Sequence, residues 1–264
     1  MTQWTACSIN AAKGSRKLAC LTAYDYSTAR LVDEAGIPLI LVGDSLGMTM
    51  LGYDTTLPVT VEEMLHHTRA VTRGVKSALV VADLPFLSYE ASVEQAILTA
   101  GRFIKEAGAG AVKIEGGAFR APVVRALVSN GIPVLGHIGL TPQSVRQMGG
   151  FKIQGKKAPD AERLIQDARE LEAAGVFALV LECMRSDLGA EITRSVRIPT
   201  IGIGAGPGCD GQILVIHDML GIYSEFKPRF VKKYAELGTE MTKAFASFKG
   251  EVEAGSFPDS AHSY

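Results

Sequence analysis

GAVKIEGG, residues 110–117, places charges at alternate positions of an apolar run. Val112 and Ile114 alternate with Lys113 and Glu115, and Gly116 and Gly117 end the run. Alternation with period two is the pattern of a β-strand, in which Lys113 and Glu115 share one face, roughly 7 Å apart along the chain. A half-exposed sheet would carry such a pair as a plain surface contact, worth little energy. The rest of the chain decides between that pair and a strand that presents two opposite charges to a site.

Seven further short runs resemble it, many rich in β-branched residues. They are LACLTAY (18–24), PLILVGD (38–44), ALVVADLP (78–85), IPVLGHIG (132–139), VFALVLEC (176–183), IPTIGIGAG (198–206) and GQILVIHD (211–218). Most are too short for helices and carry Gly or Pro at their edges. Longer segments of helical spacing lie between most of them. VTVEEMLHHTRAVTRG (59–74) has apolar residues at 61, 64, 65 and 71, and SVEQAILTAGRFIKEAGA (92–109) and DAERLIQDARELEAAGV (160–176) read alike. Several close on an Ala-Gly suited to a helix C-cap. Strands alternating with helices predict right-handed βαβ units and a parallel sheet. Eight of them predict a closed (β/α)8 TIM barrel, with an open doubly wound sheet as the alternative. The last strand is the weakest unit, because it follows a glycine-rich turn with little room for a helix.

The 264 residues suffice for one such barrel. No Pro/Ser-rich or single-charge linker divides them, so residues 1–264 read as a single barrel domain. A C-terminal helical extension is expected from about residue 226. There Phe230, Tyr234, Leu237, Met241, Phe245, Phe248 and Val252 form one apolar stripe, weakened by Gly238. That stripe suits a helix docked on its own barrel, or one that helps bind a neighbouring subunit. A hydrophobic fraction of 47% and a charged fraction of 21% fit a globular soluble protein. The net charge of −1 gives no electrostatic footprint for nucleic acid or an anionic membrane. Cys7, Cys20, Cys183 and Cys209 lie far apart with no C-x-x-C, which points to a reducing, cytoplasmic setting. The first residues lack the apolar core of a signal peptide, and no apolar stretch is long enough to span a bilayer.

The strand ends carry the chemistry. PLILVGD stops at Asp44, ALVVAD at Asp83, AVKIE at Glu115, PVLGH at His137 and FALVLE at Glu182. In a parallel barrel these ends share the rim where barrel enzymes build their sites. Singly, each has a plain explanation: Asp44 and Ser45 as turn and cap residues, Asp83 as a turn starter, His137 as a satisfied core histidine, Glu182 as a surface residue. Jointly, three consecutive strands ending in carboxylates would repel one another and raise each other's pKa. A divalent cation resolves that conflict, and oxygen-only ligands point to Mg²⁺ rather than zinc. Glu115 would then face the cation, directly or through water. Lys113, two residues deeper on the same face, would neutralise a substrate carboxylate or a developing enolate oxygen.

Other features are weaker. IGIGAGPGCDGQ contains G-x-G-x-x-G at Gly206, Gly208 and Gly211, but with no proper βαβ unit around it, so tight turns are the better reading than dinucleotide binding. Neither a Walker A motif nor a Ser or Cys nucleophile motif is present. QMGGFKIQGKKAPD (147–160) reads as a solvated connector, and its place above the fifth strand also suits a mobile lid.

Taken together, LTAYDYSTA (21–29), LVGDSLGMTMLGYDTTLPVT (41–60), ADLPF (82–86), VKIEGG (112–117), GHIGLTPQS (136–144) and GGFKIQGK (149–156) resemble the ketopantoate hydroxymethyltransferase family. LEC (181–183), IGIGAG (201–206) and DGQILVIHD (210–218) extend the resemblance, which runs from about residue 18 to 256. It implies a (β/α)8 barrel of the phosphoenolpyruvate/pyruvate type. It also implies Mg²⁺-dependent transfer of a hydroxymethyl group from 5,10-methylenetetrahydrofolate to 3-methyl-2-oxobutanoate, giving 2-dehydropantoate for pantothenate synthesis. By matching motifs, the metal ligands fall on Asp44, Asp83 and Glu115. The substrate contacts fall on Asp44, Ser45, Asp83 and Lys113, and the base on Glu182. His137 is placed to donate a hydrogen bond near the substrate. A cytoplasmic, decameric homo-oligomer follows from the resemblance alone. Two rivals remain: a lyase of the same barrel type, whose Lys-Lys-Cys-Gly-His stretch is missing here, and a barrel that binds a metabolite without turnover.

Overall fold

Eight strands close into a parallel barrel in the computed structural model, which describes residues 3–222 and 228–264. The strands are β1 (Leu18–Thr22), β2 (Leu39–Val42), β3 (Leu79–Asp83), β4 (Ala111–Glu115), β5 (Val134–Gly139), β6 (Ala178–Glu182), β7 (Thr200–Ile203) and β8 (Gly211–Leu214). Each pairs in parallel with the next, and β8 returns to β1. All eight runs picked out in the sequence are strands, and the open-sheet alternative is excluded. The helices in chain order are α1 (Ala6–Asn10), α2 (Tyr26–Glu34), α3 (Leu46–Thr49), α4 (Val61–Gly74), α5 (Val93–Ala107) and α6 (Ala121–Ser129). They continue as α7 (Val145–Met148), α8 (Ala158–Ala174), α9 (Ser186–Ser195), α10 (Ile216–Met219) and α11 (Leu237–Glu253). Among the described residues, no helix is long and apolar enough to cross a membrane.

Strand periodicity builds the core. Leu18 and Cys20, Leu39 and Leu41, Leu79 and Val81, Ala178 and Val180 alternate onto the inner face. There they meet Ala111, Leu135, Ile201 and Ile213 in one buried cluster. The short helix α1 closes the end of the barrel where the strands begin. It packs Ile9 into the same cluster, Trp4 N donates to Ser77 O (2.7 Å) just before β3, and Asn10 Nδ2 donates to Phe177 O (2.9 Å) just before β6. With that end of the barrel filled and covered, the open mouth of the barrel is the one where the strands end.

Strand β4 turns both of its charges into the barrel. All five residues of β4 are buried: Val112 and Ile114 on its outer face, Ala111, Lys113 and Glu115 on its inner face. The lysine–glutamate pair is therefore inside the barrel, above the apolar layer, and the surface-pair reading fails.

The β7–β8 connection contains no helix, as its length suggested; residues 204–210 return the chain directly. Gly211 lies so close to β1 that a Cβ there would stand 2.5 Å from Leu18 O, and side chains at Gly206 and Gly208 would run into Ser186 and Ala190 of α9. These glycines serve close packing of the return loop. Gly139, at the end of β5 with φ +99°, is tighter still, because a Cβ would run into the carbonyl oxygen of Glu182. Gly139→Ala is expected to destabilise the barrel by roughly 1–3 kcal/mol through backbone strain plus displacement of the β6 end, read from urea unfolding.

Two compact units divide the chain, one ending at Val215 and the other beginning at Ile216. The expected start of the C-terminal extension, about residue 226, lies outside the described residues. The long helix of the second unit, α11, begins at Leu237, so Phe230 and Tyr234 are not part of its stripe. Backbone bonding explains the difference. Tyr234 N donates to Met219 O (2.7 Å) and Leu237 N to Leu220 O (2.8 Å), which ties the preceding segment to the end of α10 rather than into a helix. Met241, Phe245, Phe248 and Val252 lie along α11 as exposed residues.

Candidate active site

Six ionisable side chains, Asp44, Asp83, Lys113, Glu115, His137 and Glu182, converge where β2 to β6 end. Asp83 is the last residue of β3, and register sets it beside Lys113; Glu115 ends β4 beside His137, which faces Val180 of β6. Asp44 sits two residues beyond β2, on a loop that Gly43 allows to turn tightly onto Ser45. Carboxylate oxygens of Asp44, Asp83 and Glu115 all lie within 4.8 Å of one another, and all three residues are buried. The expected carboxylate cluster is thus brought together on one rim.

Hydrogen bonds organise the cluster. Lys113 Nζ donates to Asp83 Oδ2 (2.6 Å) and Glu115 Oε1 (3.2 Å). His137 Nδ1 lies 3.2 Å from Glu115 Oε1, and its Nε2 lies 3.2 Å from Glu182 Oε2, off the line of a well-formed hydrogen bond. The imidazole therefore stands between two carboxylates. It is buried, as a core histidine would be, but its neighbours are charged. Ser45 occupies the N-cap position of α3 without capping it; its Oγ instead meets Tyr24 OH at 2.8 Å. Glu182 is the most accessible of the group, with 17% of its side chain exposed. Cys183, the next residue, holds φ +48°, a left-handed conformation uncommon outside glycine. Its carbonyl accepts from Gln154 N (2.8 Å), which ties the 147–160 segment to the end of β6.

Burial and mutual repulsion set the proton affinities. Burial pushes Asp44 well above the usual carboxylate range, and the charges of Asp83 and Glu115 add to it, against Lys113 and a Gln143 hydrogen bond. Asp83 is raised by burial and by Glu115, with Lys113 opposing. At Glu115 burial is overcome by the charges of Lys113 and His137, which hold it down at about 2. Lys113 is pulled upward by Asp83, Glu115 and Asp44 despite burial. His137 is likewise raised to about 9, because the charge and hydrogen bond of Glu115, helped by Glu182, outweigh desolvation. Without a cation, burial and mutual repulsion thus raise the proton affinity of two of the three clustered carboxylates.

The donor set fits a hard cation. It is oxygen only, and Asp83 Oδ1 is a buried acceptor with no hydrogen-bond partner. Such an oxygen carries a desolvation penalty that a cation would remove.

Two residues at the site were not anticipated. Gln143, in the Pro142–Ser144 turn after β5, donates through Nε2 to Asp44 Oδ2 (3.0 Å) and through its backbone N to Glu115 Oε2 (3.1 Å). Tyr89 OH donates to Gln143 Oε1 (2.6 Å) and accepts from Glu115 N (3.1 Å). Gln143 lies in the GLTPQS motif, where a polar residue after Pro in a turn looks solvent-facing. Nothing in the spacing pairs it with Tyr89.

Comparison with known proteins agrees with this geometry. The profile of the family described as Ketopantoate hydroxymethyltransferase matches residues 3–260. A protein of Syntrophus aciditrophicus (strain SB) named 3-methyl-2-oxobutanoate hydroxymethyltransferase is 58% identical over 252 residues, covering 96% of this chain and 93% of that protein. Among solved structures, phosphonopyruvate hydrolase in complex with oxalate and Mg²⁺ superposes with a TM-score of 0.64 at 14% identity, over 99% of this chain and 93% of that one. 2,3-Dimethylmalate lyase, a member of the PEP mutase/isocitrate lyase superfamily, gives a TM-score of 0.61 at 16% identity, over 95% and 88%. The two structures share the barrel fold with this chain.

Proposed function

Since the chain belongs to the ketopantoate hydroxymethyltransferase family, we propose that its buried rim carboxylates are where the family's reaction takes place. That reaction transfers a hydroxymethyl group to 3-methyl-2-oxobutanoate, giving 2-dehydropantoate for pantothenate synthesis. The one-carbon donor is 5,10-methylenetetrahydrofolate. The observation that carries the assignment is the oxygen cluster of Asp44, Asp83 and Glu115 with Asp83 Oδ1 unsatisfied. These residues would hold one Mg²⁺, Glu115 directly or through water. Bound there with the 2-oxo acid, the cation would supply the Lewis acidity that acidifies the C3 hydrogen.

The protein groups divide the remaining work. Asp44, Ser45 and Asp83 line the substrate position. Two of the three Lys113 N–H groups meet Asp83 and Glu115, and the third serves a substrate oxygen. Glu182, at the accessible edge of the cluster, takes the C3 proton. His137, between Glu115 and Glu182, orients that carboxylate and donates a hydrogen bond near the substrate. Water releases the methylene carbon from the two folate nitrogens as formaldehyde, with tetrahydrofolate leaving, and the C3 carbanion bonds to that carbon while the resulting alkoxide takes back a proton. The protein works as a cytoplasmic homo-oligomer, decameric by family resemblance, and the exposed apolar residues of α11 suit subunit contacts. Residues 1–264 act as one barrel enzyme with a helical extension.

Lys113→Met tests the lysine. Removing the one cation that is always charged leaves Asp83 and Glu115 buried against each other, which typically costs about 3–5 kcal/mol. Metal-free Lys113→Met is expected to melt well below wild type and to regain stability with Mg²⁺. Calorimetry should show oxo-acid binding weakened more than folate binding. Equal losses for the two ligands would make Lys113 a purely structural partner of its neighbours.

A further inference from the structure

We infer that Gln143, oriented by Tyr89, is a positioning residue that fixes how Asp44 and Glu115 face the cation; this rests on the metal-site reading above. Gln143 is buried, and both of its amide hydrogens and its amide oxygen are engaged. Nε2 donates to Asp44 Oδ2 (3.0 Å) and Leu84 O (2.9 Å), and Oε1 accepts from Tyr89 OH (2.6 Å). The orientation has one solution. Leu84 O can only accept, so the NH₂ end must point toward it and toward Asp44. A flipped amide would set its oxygen against a carbonyl and a carboxylate at once. The Tyr89 hydroxyl closes the arrangement by donating to the amide oxygen while accepting from Glu115 N (3.1 Å).

A chain of hydrogen bonds thus runs from the backbone of Glu115 through Tyr89 and Gln143 to the carboxylate of Asp44. The Gln143 backbone adds a second link to Glu115 Oε2 (3.1 Å). One turn after β5 therefore holds carboxylates that arrive on β4 and on the loop after β2. A free carboxylate rotates and presents either oxygen. Here Oδ2 of Asp44 and Oε2 of Glu115 are each pinned by an N–H. An amide suits the task because it restrains a carboxylate without bringing a positive charge that would compete with a metal. Residues that orient metal ligands in this way typically change metal affinity by about 10–100-fold when removed.

The test uses the full chain and Mn²⁺ as a paramagnetic probe, with free Mn²⁺ read by electron paramagnetic resonance. Asp83→Ala is the control for the metal site itself. Gln143→Met keeps the volume but not the donors, and is expected to weaken Mn²⁺ binding by about 10–100-fold. Tyr89→Phe should weaken it in the same direction by a smaller factor. Because Tyr89 acts through the amide and also accepts from Glu115 N, the double variant should bind less tightly than Gln143→Met, but by less than the product of the two single losses. Circular dichroism and urea transitions will show that each variant folds. Gln143→Met with wild-type Mn²⁺ affinity, or additive losses in the double variant, overturns the inference while leaving the metal site standing. Should Gln143→Met not fold, Tyr89→Phe decides alone, and unchanged affinity overturns the inference. A wild type that takes up no Mn²⁺, or an Asp83→Ala variant that binds it equally well, overturns the metal-site reading and the inference with it.

Discussion

Asp83→Ala is expected to fold as the wild type does and to lose Mg²⁺-dependent binding of 3-methyl-2-oxobutanoate. Asp83 is the last residue of β3, and its side chain contributes nothing to the apolar layer beneath it. It supplies the one buried oxygen of the cluster that has no partner. Its removal relieves repulsion on Asp44 and leaves Lys113 paired with Glu115, so stability changes little. Metal-dependent affinity should fall by more than the roughly 10–100-fold typical of losing a residue that only orients a ligand. Titration calorimetry with and without Mg²⁺ checks this. Full-strength, Mg²⁺-dependent binding by the variant would remove Asp83 from the site.

Glu182→Gln carries the second large effect. The amide keeps the shape and polarity of the side chain but cannot accept a proton, and loss of general-base catalysis typically costs about 10²–10⁴-fold in rate. The variant should still bind Mg²⁺ and the oxo acid, because Glu182 touches the cluster only through His137. The rate to follow is exchange of the C3 hydrogen, a step that the proposed mechanism carries out without folate. If the variant exchanges at the wild-type rate, Glu182 is not the base. If exchange survives and only product formation stops, Glu182 belongs to the carbon-transfer step.

Strand periodicity made most of the site's frame readable. In a closed parallel barrel, a residue at the end of a period-two run has only two places to be, and Asp83, Glu115 and Glu182 all fell on the inner one. The burial of Lys113 was not readable from GAVKIEGG alone, since the same alternation describes a half-exposed strand. Closure of the barrel decides it, because Lys113 is enclosed beside Asp83 of β3 and by the other strand ends, which lie far from it in sequence. Gln143 and Tyr89 escaped for a related reason. Both lie in loops, 54 residues apart, and their contacts depend on how three strand ends converge. The start of α11 was misplaced because side-chain spacing continues through Phe230 and Tyr234. The backbone there takes its partners from Met219 and Leu220, and side-chain spacing says nothing of backbone partners.

Enolisation needs the 2-oxo acid, the cation and a base, but no one-carbon donor, which separates the site's chemistry from folate binding. The wild-type protein with 3-methyl-2-oxobutanoate in D₂O, without folate, can be followed by proton NMR at the C3 position before and after chelation of Mg²⁺. Exchange that proceeds without folate, stops on chelation and returns when Mg²⁺ is restored is the predicted result. Exchange that is absent until folate is added, or that continues unchanged after the metal is removed, would contradict the assignment of Asp44, Asp83 and Glu115 as the metal site of this reaction.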